Sequence, residues 1–174
     1  MLSDFNLLAS TMRGNERQMR YELAFLLKEA GDPEPKTDKA GIRGLVVAKT
    51  ALDPIEALQK LHTLLQERPF EFRYALRILP IQKVVHTDIE EIKAAALELA
   101  SGLAEGESFR MTVEKRFTST HSREIIDAVA PNIKNRVDLE NPDKILLIEV
   151  LGGYTGISLI KPTDAISVLK EKML

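Results

Sequence analysis

The spacing of hydrophobic residues switches repeatedly along this 174-residue chain, and these switches constrain the fold more than any single motif. In the first 80 residues, short apolar runs at 5–11 and 42–49 alternate with segments whose apolar residues recur at helical spacing. This alternation predicts strand, helix, strand, helix and strand in that order. The order is typical of a compact α+β or ferredoxin-like domain, which we expect over residues 1–80.

Both helices of this first domain are predicted from their apolar stripes and their ends. Met19 and the leucines that follow it at helical spacing predict a helix over residues 16–30. Asp53 is suited to cap a second helix, because its side chain accepts from free N–H groups, and Pro54 is suited to begin it. Residues 32–39 are predicted to form a polar loop, and residues 72–85 one long extended stretch.

The second half of the chain, residues 81–174, predicts another small α/β domain. Apolar and polar residues alternate over 108–118, as in a half-buried strand. The other predicted elements are a helix over 89–103, a helix capped by Ser122, a hairpin of strands at 144–150 and 155–160, and a last helix starting at Thr163 or Asp164.

Composition excludes several classes of function. Cysteine is absent, which removes disulfides, thiol nucleophiles and thiolate metal sites. The three histidines lack the i, i+3 or i+4 spacing of a metal site, and although carboxylates alone could still form one, no spacing supports it. We expect no metal and no cofactor. No apolar run approaches the length of a membrane span, and the N-terminus does not resemble a signal peptide. We therefore expect a soluble cytoplasmic protein without a membrane partner.

Positive charge is concentrated in one segment. Residues 110–136 hold six Lys or Arg against three acidic residues, a net charge of +3 in a chain whose net charge is -2. Hydroxyl residues and a predicted helix start lie within the same segment. Cations, hydroxyls and helix N-terminal amides together favour phosphate binding. The alternative is an ordinary solvated surface.

The same segment also contains Ser122, His121 and Asp127, the residue types of a nucleophilic triad. A triad needs a base that a carboxylate orients and donors that stabilise an oxyanion. The sequence has no G-x-S-x-G elbow here, and capping a helix is a sufficient role for Ser122. A small hydrolase or transferase remains the alternative function.

Four stretches of the second half resemble a known family: F-R-M-T-V-E-K-R-F, H-S-R-E-I-I-D-A-V-A, V-D-L-E-N-P-D-K-I-L-L-I-E-V and T-G-I-S-L-I. Together they resemble the THUMP domain, which occurs in enzymes that modify tRNA. The resemblance covers about residues 72–174. The first 70 residues resemble the ferredoxin-like domain that usually precedes THUMP. S-R-E-I-I-D and T-G-I-S-L-I are most similar to THUMP-only adaptors that assist tRNA cytidine N4-acetylation.

The resemblance implies a THUMP domain over residues 81–174 that, paired with the ferredoxin-like domain, recognises the acceptor region and 3′ end of tRNA. It implies no catalysis by this chain, because the sequence stops one helix after the hairpin, and chemistry is assigned to a separate tRNA acetyltransferase that uses acetyl-CoA and ATP. Recognition of this type reads shape, phosphates and 2′-hydroxyls. The predicted RNA-binding residues are Lys115, Arg116, Ser119, Thr120, His121, Ser122 and Arg123, with Lys134 and Arg136 as outer phosphate contacts.

A third hypothesis is a protein-interaction module, in which the helix at 16–30 or the helix at 89–103 docks a partner. It is compatible with tRNA binding, because an adaptor needs two faces.

Overall fold

The computed structural model describes residues 1–173 and divides them into two compact units. Unit 1 comprises residues 1–81 together with the segment from Thr163 onward, and unit 2 comprises Gln82–Pro162. Both units mix helices with strands, so the expected α+β fold class is confirmed. No helix in the described part of the chain has both the length and the apolar character needed to cross a membrane.

The helices and strands follow one another in a regular order, interrupted by short 3-10 turns. Their bounds are β1 (Leu7–Ser10), α1 (Glu16–Glu29), β2 (Lys36–Lys39), β3 (Leu45–Lys49), α2 (Pro54–Glu67), β4 (Arg77–Pro80), β5 (Lys83–His86), α3 (Ile89–Ala100), β6 (Phe109–Arg116), α4 (Ser122–Val129), β7 (Lys144–Leu151), β8 (Tyr154–Ile160), β9 (Ile166–Ser167) and α5 (Val168–Lys172).

Unit 1 contains an antiparallel sheet in the order β2-β3-β1-β4-β9. Its first six elements run strand, helix, strand, strand, helix, strand, which is the ferredoxin-like order. Leu7 and Ala9 alternate along β1 and belong to one core with the buried stripes of α1 and α2. The two helices therefore cover one face of the sheet, as the helical spacing of their leucines predicts.

Two predicted elements of unit 1 differ from the structure, and one predicted helix cap is confirmed. The predicted loop at 32–39 contains strand β2, whose K-T-D-K sequence has no hydrophobic alternation because it lies at the sheet edge. The predicted extended stretch at 72–85 is two strands, β4 and β5, which belong to different sheets. Asp53 caps α2 as predicted, and its carboxylate accepts from the N–H groups of Ile55 and Glu56 at 3.0 and 3.2 Å.

The C-terminal segment completes unit 1. Strand β9 pairs antiparallel with β4, so the helix predicted to start at Thr163 or Asp164 begins only at Val168. His62 of α2 anchors the segment: its Nδ1 lies 2.6 Å from the Glu171 carboxylate and its Nε2 lies 3.0 Å from a carbonyl oxygen of the same segment. The predicted boundary after residue 80 placed this C-terminal segment in the second domain. In the structure the segment belongs to unit 1.

Unit 2 contains a four-stranded sheet in the order β5-β8-β7-β6. The β6–β7 pair is parallel, whereas β7–β8 and β8–β5 are antiparallel. Alternate residues of β7, namely Leu146, Ile148 and Val150, pack against the buried faces of α3 and α4. Because β6 and β7 are parallel, their carboxyl ends meet at one edge of the sheet, beside the loop that leads into α4.

Candidate nucleic-acid interface

One row of paired residues crosses the edge of the unit 2 sheet where β6 and β7 end. Arg116 pairs with Leu151, Leu151 with Tyr154, and Tyr154 with His86. The rings of Tyr154 and His86 stack at a centroid separation of 5.5 Å and an interplanar angle of 27°. Ligands of α/β sheets commonly bind at the carboxyl ends of parallel strands. The row therefore marks the edge at which the predicted site begins.

Lys115 and Arg116 end β6, but their side chains point to opposite faces of the sheet, because side chains alternate along a strand. Lys115 pairs with Val150, on the helix-covered face, and its side chain is exposed. Arg116 is half-buried, and its Nη1 donates to the Glu149 carboxylate at 2.6 Å. Glu149 is buried, so the guanidinium of Arg116 neutralises a carboxylate that is shielded from solvent.

The chain turns sharply after β6. Phe117 has a φ of 53°, in the left-handed region that side chains with a Cβ rarely adopt, and is 78% exposed. The carbonyl of Arg116 accepts from the N–H of Gly152 at 2.8 Å, which ties this turn to the β7–β8 turn. An aromatic side chain held outward beside a lysine provides a surface on which a base can stack.

The loop between β6 and α4 brings the predicted hydroxyl residues together. Ser119 is exposed and Thr120 is half-buried. The N–H of Thr120 donates to the Thr118 hydroxyl at 3.2 Å, so a local turn orders the loop. These residues lie within a few positions of Lys115, as predicted.

The start of α4 differs from the prediction. The N-cap is His121, and Ser122 is the first helical residue, so Ser122 does not cap the helix. The carbonyl of His121 accepts from the N–H of Glu124 at 3.0 Å, and the Glu124 carboxylate accepts from the N–H of His121 at 3.4 Å. A carboxylate in the first turn already complements the helix dipole, which weakens the attraction of this terminus for another anion.

The other two predicted arginines also have acidic neighbours. Arg123 lies four residues before Asp127 on α4, and the two exposed side chains approach to 3.7 Å. Arg136 lies 3.8 Å from Asp138, whose pKa is lowered by the backbone N–H groups of Asn141 and Glu140 and, to a smaller extent, by Arg136. Exposed pairs of this kind are weak, so both arginines can exchange partners.

Lys134 and Arg136 lie at the opposite end of β6 from Lys115. The carbonyl of Arg136 accepts from the N–H of Phe109, the first residue of the strand. Phe109 and Arg116 are seven residues apart, which corresponds to about 23 Å of extended chain. Lys134 borders a groove of about 370 Å³ at this far end. The structure therefore brings the residues from Lys115 to Arg123 together but does not bring the two outer cations to them.

The residues of the hypothetical triad do not assemble. The described hydrogen bonds do not connect His121 with Ser122 or Asp127, and the Asp127 carboxylate faces Arg123. Asp127 lies five residues after Ser122, which places it about 140° around the helix. Among the described residues, no group of three or more His, Cys, Asp or Glu has the arrangement of a metal site.

Sequence reasoning missed Glu149 and Phe117. Glu149 interrupts an otherwise apolar strand, K-I-L-L-I-E-V, and that interruption is the available signal for a buried carboxylate that needs a cation. Phe117 gives no comparable signal, because nothing in its neighbours requires a positive φ. Its exposure follows from the tertiary turn between β6 and the β7–β8 hairpin.

Comparison with known proteins identifies the domain within unit 2. Residues 86–160 match the family model of the THUMP domain, so a THUMP domain is present. The chain is 25% identical over 137 residues to the uncharacterized protein MJ0421 of Methanocaldococcus jannaschii, an alignment that covers 76% of this chain and 35% of the relative. It thus spans about a third of the length of that curated relative.

Several solved structures share the fold. PH1313 from Pyrococcus horikoshii Ot3 has a TM-score of 0.62 and 21% identity, covering 91% of this chain and 55% of that protein. TrmN from Thermus thermophilus has a TM-score of 0.55 and 21% identity, covering 88% and 44%. A 4-thiouridine synthetase in complex with RNA and ATP has a TM-score of 0.51 and 15% identity, covering 90% and 42%. At these identities the similarity establishes the fold alone.

Proposed function

We propose that this chain, which carries a THUMP domain, binds tRNA in the cytoplasm and acts as a non-catalytic adaptor that presents tRNA to a separate cytidine N4-acetyltransferase. The observation that carries the proposal is the THUMP match over residues 86–160, which contains the whole β6–α4 segment. The RNA-bound 4-thiouridine synthetase of the same fold supports an RNA ligand. Acetylation as the reaction rests on the resemblance of S-R-E-I-I-D and T-G-I-S-L-I to THUMP-only adaptors.

The proposed contact surface is the edge of unit 2 that runs from Lys115 to Arg123. Lys115 is the cation best placed to bind phosphate, because it is exposed and has no ion pair among the described residues. Ser119 and Thr120 offer hydroxyls, and His121 offers an exposed ring. Such a surface binds a backbone without reading bases, as expected of recognition by shape and phosphate.

The role of Arg116 in this proposal is indirect. Its guanidinium neutralises Glu149 and holds the end of β6, so it positions Lys115 and the loop that follows. The phosphate contacts then come from Lys115 and Arg123, the latter by exchanging its weak pair with Asp127 for a phosphate. Lys134 and Arg136 are proposed as a separate, distal contact for a ligand long enough to reach both ends of β6.

The alternative function, a small hydrolase or transferase, has less support. Its triad requires Asp127 to orient His121, but the Asp127 carboxylate faces Arg123 and no described hydrogen bond joins it to His121. Turnover of generic ester substrates that is lost in Ser122→Ala alone would favour the enzyme over the adaptor.

Binding is tested by titrating labelled tRNA with the full chain at about 50 and 200 mM salt. Lys115→Glu is expected to weaken binding and to reduce the salt slope by about one unit, because one phosphate contact is lost. Lys60→Glu, which makes the same charge change on an exposed position of α2, is the matched control. Equal effects of the two variants would contradict the proposed surface.

The pathway is tested by nucleoside mass spectrometry of tRNA from cells that lack this protein. We expect N4-acetylcytidine to disappear and to return when the wild-type chain is supplied. Complementation with Lys115→Glu should restore less of it than complementation with Lys60→Glu. If a different modified nucleoside is lost, the proposal of tRNA binding stands and the acetyltransferase is rejected as the partner.

A further inference from the structure

The outer face of α1 in unit 1 exposes a groove lined by aromatic side chains. Tyr21 and Phe25 are 65% and 44% exposed, and Phe70 of the 3-10 turn after α2 is 69% exposed. With Tyr74 they border a groove of about 510 Å³. Tyr21 and Phe25 are four residues apart, so they lie one above the other on the same helix face. Four of the nine aromatic residues of the chain line this one groove.

Cations continue this stripe toward the start of the helix. Arg17 lies one turn before Tyr21, and its guanidinium carbon is 5.8 Å from the centre of the Tyr21 ring. Arg17 and Arg20 border a second pocket of about 370 Å³ together with Lys39 of β2. Tyr21 lines both pockets, so the cationic and aromatic regions form one continuous surface.

The carboxylates near these cations accept hydrogen bonds from N–H groups elsewhere in unit 1. The Glu16 carboxylate accepts from the N–H groups of Gly14 and Gly44, each at 2.9 Å, and these bonds, Gly44 first, lower its pKa. The Glu22 carboxylate accepts from three successive N–H groups, those of residues 73–75, at 2.7–3.1 Å. Asp38 lies 3.3 Å from the N-terminal amine.

Among the described residues none of these carboxylates pairs directly with a cation of this face, although Asp38 is near enough for Arg20 to contribute to the lowering of its pKa. Within residues 1–173 no ion pair involves Arg13, Arg17, Arg20 or Lys39. Arg20 donates to the carbonyl of Thr37 at 3.2 Å, which holds its side chain against β2 without removing its charge. A surface of this kind attracts a polyanion.

We propose that this face of unit 1 binds a single-stranded nucleic acid, with backbone phosphates on Arg17, Arg20 and Lys39 and bases stacked on Tyr21, Phe25 and Phe70. An aromatic groove alone would suit a protein partner equally well. The cations beside it, which form no ion pair among the described residues, favour nucleic acid, because a strand presents phosphates that cations bind and bases that stack on rings. From Arg17 to Phe25 the helix rises about 12 Å, enough for a short run of nucleotides.

This site goes beyond the proposed function, because it assigns a second, separate binding surface to unit 1. It is tested by fluorescence anisotropy with the full chain and a labelled single-stranded RNA of about 12 nucleotides without secondary structure. Tyr21→Leu retains an apolar side chain and removes the π face, so it is expected to weaken binding about tenfold. Arg17→Glu is expected to weaken binding and to lower the salt slope.

Two exposed positions of unit 1 that do not line the groove provide matched controls. Lys60→Glu makes a similar change of charge on α2, and Leu169→Ala removes an apolar side chain from α5. Neither is expected to change the affinity by more than about twofold, as for surface substitutions elsewhere. Thermal melting of every variant establishes that it is folded.

The possible outcomes separate this site from the proposed tRNA surface. Loss of oligonucleotide binding in Tyr21→Leu and Arg17→Glu, with both controls unchanged, would support it. Equal loss in Arg17→Glu and Lys60→Glu, or no binding by the wild type, would overturn it. The site would also be overturned if Lys115→Glu lost oligonucleotide binding while Tyr21→Leu bound normally. That result would support the proposed function and assign the groove to an apolar partner. If tRNA binding is insensitive to Lys115→Glu while the Tyr21→Leu effect persists, the proposed surface fails and this one stands.

Discussion

The two cationic surfaces of this protein differ in what their carboxylates bind: backbone N–H groups on one surface and arginine side chains on the other. On the α1 face of unit 1, Glu16 and Glu22 accept hydrogen bonds from backbone amides, and the neighbouring arginines have no ion pair among the described residues. At the β6 edge of unit 2, Arg116 pairs with Glu149 and Arg123 approaches Asp127. The β6 edge has the higher net positive charge in the sequence, yet more of its arginines form ion pairs in the fold. Net charge over a segment does not show how much of it is available to a ligand.

The largest expected effect tests whether Arg116 is structural. Arg116→Ala leaves the buried Glu149 carboxylate without this cation and should lower the free energy of unfolding by about 3 kcal/mol in urea denaturation. Arg17 pairs with no carboxylate among residues 1–173, so Arg17→Ala should change the free energy of unfolding by less than about 0.5 kcal/mol.

Arg123→Ala is the matched control within unit 2, because its pair with Asp127 is exposed. We expect it to behave like Arg17→Ala. If Arg116→Ala were as stable as these two variants, the contrast between neutralised and available arginines would be wrong.

A smaller loss of stability is expected at acidic pH. It arises from Asp32 of unit 1, whose carboxylate accepts hydrogen bonds from backbone N–H groups and a hydroxyl. Burial raises the pKa of Asp32, but the N–H of Ala51, the hydroxyl of Thr50 and the N–H of Glu34 together outweigh burial and lower it. A lowered pKa means that the stabilisation is present above about pH 4 and is lost as the pH falls through the folded-state value.

Measurement of the free energy of unfolding between about pH 6 and pH 3 checks this prediction. The wild type should lose stability toward the acid end, and Asp32→Asn should be less stable at pH 6 but lose less on acidification. An equal slope in both proteins would show that Asp32 does not carry this linkage.

The smallest expected effect concerns the strained turn of unit 2. Phe117→Asn should raise the stability by up to about 1 kcal/mol, because asparagine tolerates a positive φ and little packing is lost at an exposed position. Phe70→Asn removes an equally exposed ring in unit 1 without a positive φ and should bring no gain. A gain in both variants would assign the effect to exposed aromatic rings in general.

Hydrophobic periodicity was enough to predict most of the fold. Met19 and the leucines of α1, and the alternation along β6, are signals that packing must satisfy, so the structure follows them. Strand β2 was missed because an edge strand buries little and K-T-D-K carries no alternation. Strand β9 was missed because its pairing with β4 joins residues more than 80 positions apart, which no local pattern reports.

The candidate sites were less predictable, because they depend on which charges meet in three dimensions. Lys115 and the loop residues after it stay together because they are close in sequence. Lys134 and Arg136 were grouped with them by sequence distance, yet α4 carries the chain back to the start of β6. Helix α1 was suggested from sequence only as a docking element for a protein partner, because the hydrogen bonds of Glu16 and Glu22 to distant amides appear only in the fold.

The C-terminal strand and helix of unit 1 have a consequence for vectorial synthesis on the ribosome. All of unit 2 lies between β4 and its edge partner β9, so the nascent chain completes the THUMP-containing sheet before β9 has emerged. During that interval the backbone of β4 lacks the partner that covers its edge, and an open edge invites pairing with another chain. Unit 1 therefore closes only after unit 2 has been made, and a pause in synthesis before β9 emerges prolongs the period in which the edge of β4 is open.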